Sequence, residues 1–305
     1  MIDRRSLIVG GAALAASACV PLDPSPTGRL AAKLRLIEVG SGGDLGVAFL
    51  NPAQRLALGH RQDEAFAMCS TFKTSLAALV LSLEQAGKLD LSQVIRWSEA
   101  DLLSYAPFAK ERLASGASLR ELARAAQVLS DNTAANLLLE RVGGPAGVTA
   151  YWRSLGNAVS RLDRTEPQLN FVPPGEIRDT TSPAAMAGTL ANILFGDALD
   201  SARQAELRGW MRETQTGLSR VRAGLPPDWE VGDKTGSSGD WPAMPYARGD
   251  IGYVVSPMGD PVLFAVYHRA SRDNPPKAEV VDAAFATVGQ VLSDWIDTTY
   301  RVIVA

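Results

Sequence analysis

The sequence of 305 residues predicts an α/β fold whose single sheet is built from both ends of the chain. Two strand-like segments, residues 45–50 and 55–59, come early, and three more, residues 229–237, 249–256 and 262–270, come late. Short connections separate the late segments, which favours antiparallel neighbours. The long stretch between the two groups carries mainly helix signals. We therefore expect a five-stranded antiparallel sheet beside an all-helical lobe.

Composition and charge place the chain among ordinary globular proteins. It is 46% hydrophobic and 21% charged, with a formal net charge of −3, which leaves ample apolar residues for a large core. No basic run is present, so nothing in the charge pattern indicates binding to nucleic acid. The two histidines, His60 and His268, lack metal-ligand spacing, so we expect no metal and no cofactor.

Residues 1–18 are typical of a signal peptide. Arg4 and Arg5 precede an apolar stretch that is too short to span a membrane, and the segment ends in the small residues Ala16-Ser17-Ala18. The paired arginines favour export by the twin-arginine route, with a Sec signal as the alternative. We therefore expect an exported protein.

Cys19 follows the predicted cleavage site directly and resembles the lipidated residue of a bacterial lipoprotein. The proline-rich residues 19–28 would then form a tether to the membrane. Cleavage that releases a soluble form is the alternative. The mature protein is expected to be periplasmic or anchored through Cys19.

The predicted elements follow in chain order. A first helix is predicted over residues 30–39, and Asn51-Pro52 is a turn signal between the two early strands. Residues 74–84 are rich in Ala and Leu and contain no Gly or Pro, which predicts a buried helix. Ser118 and Glu121 form a capping box at the start of a further helix.

The second half of the predicted helical lobe carries further start and stop signals. A helix over residues 133–142 ends at Gly143-Gly144-Pro145, and Ser182-Pro183 starts another. Helices continue to about Arg212. The final helix, residues 277–297, presents an apolar stripe formed by Val281, Phe285, Val288, Leu292 and Trp295.

Ser70 and Lys73 form an S-x-x-K motif at the start of the predicted helix 74–84. Backbone N–H groups at a helix start are unpaired, and the helix dipole there favours negative charge. A serine hydroxyl needs a base within hydrogen-bond reach to become a nucleophile, and Lys73 lies on the same helix face. Alone, the motif is a weak indication of catalysis.

Three further motifs strengthen this indication: Ser130-Asp131-Asn132, Glu166-Pro167-Gln168-Leu169-Asn170 and Lys234-Thr235-Gly236. Together with S-x-x-K they stand in the order and at the separations seen in class A β-lactamases. From about Arg29 to its C-terminus, the sequence resembles this family. The resemblance implies helices on both faces of the sheet and an active site between two lobes. The α/β lobe would comprise residues 29–60 and 217–305, and the all-α lobe residues 61–216, including a Glu166 loop at 161–179.

The resemblance also implies the chemistry of β-lactam hydrolysis, and with it antibiotic resistance. Ser70 would attack the ring, and Ser130 would pass a proton to the leaving nitrogen. Glu166 with Asn170 would hold and activate the water that releases the acyl-enzyme. Either Lys73 or Glu166 can serve as the base for acylation, and this alternative stays open.

Substrate-binding residues follow from the same resemblance. The N–H groups of Ser70 and Ser237 would form the oxyanion hole, which makes Ser237 a further catalytic residue. Arg220 would bind the substrate carboxylate, since a guanidinium can do so with two hydrogen bonds. The full implied set is Tyr105, Asn132, Asn170, Arg220, Lys234, Thr235, Gly236 and Ser237.

Arg164 and Asp179 bracket the Glu166 loop, and in the family such a pair clamps the neck of the loop. The peptide bond before Pro167 is commonly cis in the family. Asp163, by contrast, is expected to be only a surface charge of the loop.

Cys69, beside the proposed nucleophile, is either a second nucleophile or a small apolar packing residue, and we favour packing. A disulfide to Cys19 would need the tether to fold back, so we do not expect it. We expect the protein to act as a monomer on a small β-lactam substrate.

Two other functions share part of this pattern. A D,D-peptidase of cell-wall synthesis also has the S-x-x-K and K-T-G motifs, and a β-lactam receptor is acylated only once. Both lack a deacylating E-x-x-L-N motif, which this sequence contains at Glu166 to Asn170. The motif therefore favours a hydrolase.

Overall fold

A five-stranded antiparallel sheet forms the centre of the computed structural model, which describes residues 23, 25–239, 241, 244–257 and 259–304. The predicted signal peptide, residues 1–18, and Cys19 lie outside the described residues. The strands are β1 (Gly43–Asn51), β2 (Leu56–His60), β3 (Glu230–Ser237), β4 (Ala247–Val255) and β5 (Pro261–Ala270).

The strands lie in the order β2-β1-β5-β4-β3, and every neighbouring pair is antiparallel. Strand β5, from the end of the chain, therefore pairs with β1 from its beginning. The predicted sheet, built from both ends of the chain, is confirmed.

Alternate side chains of β5 enter two separate apolar cores. Leu263, Ala265 and Tyr267 face the core that extends into the helical lobe. Val262, Phe264 and Val266 face a second core, which includes the apolar stripe of the C-terminal helix. Because successive side chains of a strand point to opposite faces, a sheet covered on both faces buries a continuous apolar strand. Helices on both faces of the sheet are thus confirmed.

Nine helices are present in the described part of the chain: α1 (Pro26–Ser41), α2 (Phe72–Gln85), α3 (Pro107–Glu111), α4 (Leu119–Val128), α5 (Asn132–Arg141), α6 (Gly144–Ser154), α7 (Pro183–Phe195), α8 (Ser201–Arg212) and α9 (Ala278–Val304). Within the described residues, no helix is both long and apolar enough to cross a bilayer.

The predicted helix starts are confirmed where a side chain next to the helix caps it. Ser118 Oγ accepts a hydrogen bond from the Glu121 N–H, and the Glu121 carboxylate accepts one from the Ser118 N–H, so the capping box is confirmed. Ser182 caps α7 in the same way, with Pro183 at its first position. Helix α1 begins at Pro26, earlier than predicted and within the proposed tether, because Ser25 Oγ accepts from Gly28 N.

Short elements missed by the sequence patterns hold the site in place. A single 3₁₀ turn, Cys69–Thr71, precedes α2. Phe66–Ala67 pairs with Thr180–Thr181, which joins the end of the Glu166 loop to the residues just before the nucleophile. The Gly143-Gly144-Pro145 signal ends α5 as predicted, but it also begins α6, since Pro145 occupies that helix's first turn.

Candidate active site

Ser70 lies in the 3₁₀ turn directly before α2, two residues ahead of the first helical residue, Phe72. Strand β3 crosses this turn closely. A Cβ on Gly236 would lie 2.9 Å from Met68 O and 3.1 Å from Ser70 N. Only glycine fits this approach without displacing the backbone of the turn, so the K-T-G glycine brings β3 against the nucleophile.

Ser70, Lys73 and Glu166 form a buried cluster. Lys73 Nζ donates to Ser70 Oγ at 2.9 Å, and Ser70 Oγ donates to Glu166 Oε1 at 3.2 Å. Lys73 Nζ also pairs with Glu166 Oε1 at 3.0 Å, and both side chains are fully buried. Further bonds from Lys73 to Ser130 O, at 2.9 Å, and Asn132 Oδ1, at 2.5 Å, fix the ammonium group.

Ser130 links the two lysines of the motifs. Its carbonyl accepts from Lys73, and its hydroxyl accepts from Lys234 Nζ at 3.0 Å. Lys234 also donates to Thr235 O at 2.6 Å. Burial and the neighbouring cations Lys73 and Arg220 hold the pKa of Lys234 well below its usual range. The two lysine side chains thus approach Ser130 from different atoms, one at its carbonyl and one at its hydroxyl.

Glu166 is held at its backbone and at its carboxylate. Asn136 exchanges two hydrogen bonds with the Glu166 backbone, at 3.0 and 2.9 Å. Asn170 Nδ2 donates to Glu166 Oε2 at 2.6 Å. Asn170 Oδ1 is buried and accepts no hydrogen bond from the described residues. The Glu166–Pro167 peptide bond is cis.

Asp179 closes the neck of the Glu166 loop. Its carboxylate, which is fully buried, pairs with Arg164 Nε at 2.5 Å and accepts from the N–H groups of Asp163 and Arg164 at 2.7 and 3.0 Å. The predicted clamp is present. The expectation for Asp163 is wrong, because its carboxylate accepts from Asp179 N at 3.2 Å and pairs with Arg161 at 2.6 Å. It is part of the same closure.

Arg220 stands at the other end of the site, beside the last residue of β3. Its Nη2 donates to Ser237 Oγ at 2.8 Å, and its Nη1 donates to Gly236 O at 3.0 Å. Burial lowers the pKa of Arg220, and Asp250 and Asp282 oppose that shift. Near Arg220, the Thr235 and Thr216 hydroxyls form a hydrogen bond of 2.6 Å between their Oγ1 atoms.

The site residues line one open cavity of about 560 Å³. Tyr105 is half exposed at its edge, with a relative exposure of 50%. Lys73, Glu166 and Lys234 lie behind the cavity surface, in contact with residues that line it. The predicted residues that line it are Ser70, Tyr105, Ser130, Asn132, Asn170, Arg220, Thr235, Gly236 and Ser237.

Cys69 lies behind Ser70 and is fully buried, and among the described residues no cysteine is bonded to it. Burial, reinforced by the Glu166 charge, raises the pKa of its thiol to about 12. The thiolate is the reactive form of cysteine, so Cys69 is suited to packing and not to nucleophilic attack. It packs with Ala67 and Ala247.

The sequence analysis missed several residues that the fold brings to the site. Asn136 holds Glu166, as described above. Arg248 faces Ser237 across the β3–β4 register, and Asp282 Oδ1 accepts from both Arg248 Nη1 and Arg220 Nε at 3.0 Å. None stands in a motif, and their proximity depends on strand register and on the placement of α9. Only a correct β3–β4 register could have indicated Arg248 beforehand.

Comparison with known proteins identifies the family. A family model described as the β-lactamase enzyme family matches residues 29–296. β-Lactamase L2 of Stenotrophomonas maltophilia is 43% identical over 281 residues, which cover 88% of this chain and 91% of that protein. β-Lactamase CTX-M-25 of Escherichia coli is 41% identical over 263 residues, 86% of this chain and 87% of that protein.

Solved structures agree with the sequence relatives. An ancestral class A β-lactamase, the last common ancestor of Gram-negative bacteria, superposes with a TM-score of 0.83 at 45% identity, covering 88% of this chain and 99% of that one. A β-lactamase of Xanthomonas campestris gives a TM-score of 0.84 at 39% identity, covering 89% and 99%. The chain therefore belongs to the β-lactamase enzyme family and is a class A β-lactamase, a hydrolase of β-lactams.

Proposed function

We propose that this enzyme destroys β-lactam antibiotics through an acyl-enzyme on Ser70, which water activated by Glu166 then releases. One observation carries the proposal: Ser70 Oγ lies within hydrogen-bond distance of both Lys73 Nζ, at 2.9 Å, and Glu166 Oε1, at 3.2 Å. The nucleophilic oxygen therefore lies within hydrogen-bond distance of both a buried cation and a buried carboxylate. Hydrolysis of the antibiotic gives resistance to it.

Acylation begins with loss of the Ser70 proton. Lys73 Nζ lies within hydrogen-bond distance of Ser70 Oγ, Ser130 O and Asn132 Oδ1, an arrangement in which it serves as a donor to the nucleophile. Glu166 is the group that accepts from Ser70 Oγ. This arrangement favours Glu166 as the first acceptor of the proton, with Lys73 as the alternative base.

Ring opening places a negative charge on the carbonyl oxygen and requires a proton at the leaving nitrogen. The N–H groups of Ser70 and Ser237 are proposed to bind that oxygen, supported by the close crossing of β3 over the nucleophile turn. Ser130 is proposed to protonate the nitrogen. Its hydroxyl accepts a hydrogen bond from Lys234 Nζ at 3.0 Å, so Lys234 can replace a proton that Ser130 loses.

Deacylation requires a water molecule beside Glu166. The Glu166 carboxylate and the buried Asn170 Oδ1, which accepts no bond from the described residues, are both acceptors for such a water. Glu166 would remove its proton as it attacks the ester. This step separates a hydrolase from a peptidase or receptor that remains acylated.

Substrate binding is assigned to the remaining residues that line the cavity. Arg220, with Thr235 and Ser237, is proposed to hold the ring carboxylate. Asn132 would hold the side-chain amide of the substrate, and Tyr105 would contact the substrate at the edge. Since each of these roles can be assigned to a residue of this chain, the site requires no second subunit, and we propose that the enzyme acts as a monomer, which size-exclusion chromatography can test.

Export to the periplasm is also part of the proposal. It rests on Arg4 and Arg5, the apolar stretch after them, and Cys19. If Cys19 carries lipid, the Cys19→Ala variant will move from the membrane fraction to the soluble periplasmic fraction. An unchanged distribution would favour the soluble alternative.

Counting turnovers tests the catalytic proposal. Wild-type enzyme mixed with excess benzylpenicillin should hydrolyse many equivalents, whereas a receptor or a slow peptidase stops near one. The Ser70→Ala variant should keep its fold, checked by circular dichroism, and retain less than about a thousandth of the wild-type rate, because nucleophile and base act as a unit. A higher residual rate would rule out Ser70 as the nucleophile.

A further inference from the structure

Two contacts join the Glu166 loop to the connection between β3 and β4 at the rim of the site. The Phe171 and Trp241 rings pack with centroids 5.5 Å apart and planes tilted by 56°. The next residue of the loop, Val172, donates its N–H to Met244 Sδ at 3.0 Å. We call these four residues, Phe171, Val172, Trp241 and Met244, the rim clasp.

The described residues of the β3–β4 connection are fixed by hydrogen bonds at its base. Ser238 N donates to Ala247 O at 3.0 Å, and Ala247 N donates to Ser238 Oγ at 2.9 Å, so the base of the connection is closed. The Trp241 indole N–H donates to Ser238 O at 2.7 Å, which orients the ring. Met244 is buried, with a relative exposure of 8%.

The other side of the clasp leads directly to the deacylation residues. Phe171 follows Asn170, whose side chain donates to Glu166 Oε2 at 2.6 Å. Val172 packs against Ala67 and Cys69, next to the nucleophile. A displacement of Phe171 and Val172 would therefore move Asn170 relative to Glu166, while Ser70 and Lys73 lie on the separate α2 side of the site.

We propose that Trp241 is a positioning residue for deacylation: through the rim clasp it holds Asn170 where that side chain can bind the deacylating water beside Glu166, whose own backbone is held by Asn136. The inference rests on the proposed function, because it assumes that Glu166 performs the deacylation. Trp241 also lines the cavity with Pro167 and Asn170, but its role in the clasp requires no contact with substrate.

The proposal predicts a separation of the two chemical steps in Trp241→Ala. With benzylpenicillin, the acylation rate constant should stay within about twofold of wild type, while deacylation should slow by about tenfold, because a small misplacement of a catalytic group is costly. Acyl-enzyme should accumulate at steady state, as seen by quench and intact-mass spectrometry. Trp241→Phe, which keeps an aromatic ring at the contact, should restore deacylation.

Two controls separate this role from general loss of packing. Trp229→Ala removes a partly buried tryptophan that packs against the second core, beside the C-terminal helix. This variant should slow neither acylation nor deacylation selectively. Phe171→Ala should reproduce the Trp241→Ala defect, and the double variant should be no worse than either single variant, because all three lose the same ring contact.

Equal losses in acylation and deacylation, or unchanged deacylation in Trp241→Ala, would overturn the proposal. The result is read beside Glu166→Ala. If Glu166→Ala traps no adduct on Ser70, the proposed function itself fails. If Glu166→Ala traps the adduct but Trp241→Ala and Phe171→Ala turn over normally, the rim clasp alone is refuted.

Discussion

At the residue scale, the site is a set of buried charged side chains held by hydrogen-bond partners. Lys73, Lys234 and Glu166 are almost fully buried, and each has charged or hydroxyl partners at hydrogen-bond distance. Buried charges are tolerated only with such partners. The motifs predicted these residues because nucleophile, base and proton donor need fixed chemical types. Arg248 and Asp282 could not be predicted, because they join the site only through strand register and helix placement.

Arg220 provides a prediction at the same scale. Arg220→Ala should lower kcat/KM for benzylpenicillin by a factor that corresponds to about 1.5–3 kcal/mol, the usual contribution of a charged hydrogen bond. Benzylpenicillin methyl ester lacks the ring carboxylate and serves as the control. Its kcat/KM is lower than that of the acid and should hardly change in Arg220→Ala. If acid and ester lose equally, another cation binds the carboxylate, and Arg248 is the nearest candidate, since it shares Asp282 with Arg220.

At the element scale, the Glu166 loop is a long segment held at a few points. Its neck is closed by Asp179, which binds one side chain and two backbone N–H groups. Its distal part contacts the β3–β4 connection through Phe171 and Val172. The neck pair was predictable from the family pattern. The rim clasp was not, because nothing in the sequence relates residue 171 to residue 241.

Arg164→Ala tests the neck. The variant leaves a fully buried carboxylate with only two N–H donors, so the free energy of unfolding should fall by an amount at the lower end of about 3–5 kcal/mol. Urea denaturation measures this loss, and limited proteolysis should cut within residues 161–179. Arg178→Ala is the matched control, because Arg178 pairs with Glu176 in the same loop but is exposed. That variant should lose little stability, because an exposed ion pair is screened by solvent. Equal losses of unfolding free energy in the two variants would mean that the Arg164–Asp179 pair stabilises the protein no more than an exposed ion pair does.

Helix starts and strands were predicted well where local chemistry decides them. The capping box at Ser118 and the Ser182-Pro183 start are set by side chains next to the helix. The two-residue pair Phe66–Ala67 with Thr180–Thr181 was missed, because partners more than a hundred residues apart leave no local pattern. Helix α9 ends at Val304, beyond the predicted residue 297.

At the scale of the whole molecule, the sheet joins two cores, and a buried histidine lies at its centre. His268, on β5, is almost fully buried. Burial lowers its pKa to about 4, although the nearby Asp44 carboxylate opposes this shift. In the unfolded chain, its pKa is about 6.5. The folded protein therefore keeps His268 neutral over a range in which the unfolded chain takes up a proton.

This difference predicts a loss of stability in acid. As the pH falls from about 6.5 to about 4, proton uptake by the unfolded state should lower the free energy of unfolding by up to about 3 kcal/mol, and the loss is complete below the folded pKa. Urea denaturation of wild type and His268→Gln at pH 7 and pH 4.5 measures the effect. The variant should depend less steeply on pH. Identical pH dependence would show that His268 does not titrate differently in the two states.

The central claim concerns the complete site: Ser70 forms an ester, and Glu166, from the loop at residues 161–179, activates the water that breaks it. In Glu166→Ala, Lys73 Nζ remains beside Ser70 Oγ, so it can take over as the base for acylation. Release of the ester has no such substitute and should slow by roughly 10²–10⁴ or more.

Intact-mass spectrometry of Glu166→Ala mixed with benzylpenicillin is the most direct test. We expect one equivalent of penicilloyl adduct, mapped by peptide analysis to Ser70, to persist long after wild-type enzyme has cleared all substrate and returned to its free mass. A Glu166→Ala enzyme that turns over freely with no adduct at steady state, or an adduct on a residue other than Ser70, would contradict the account.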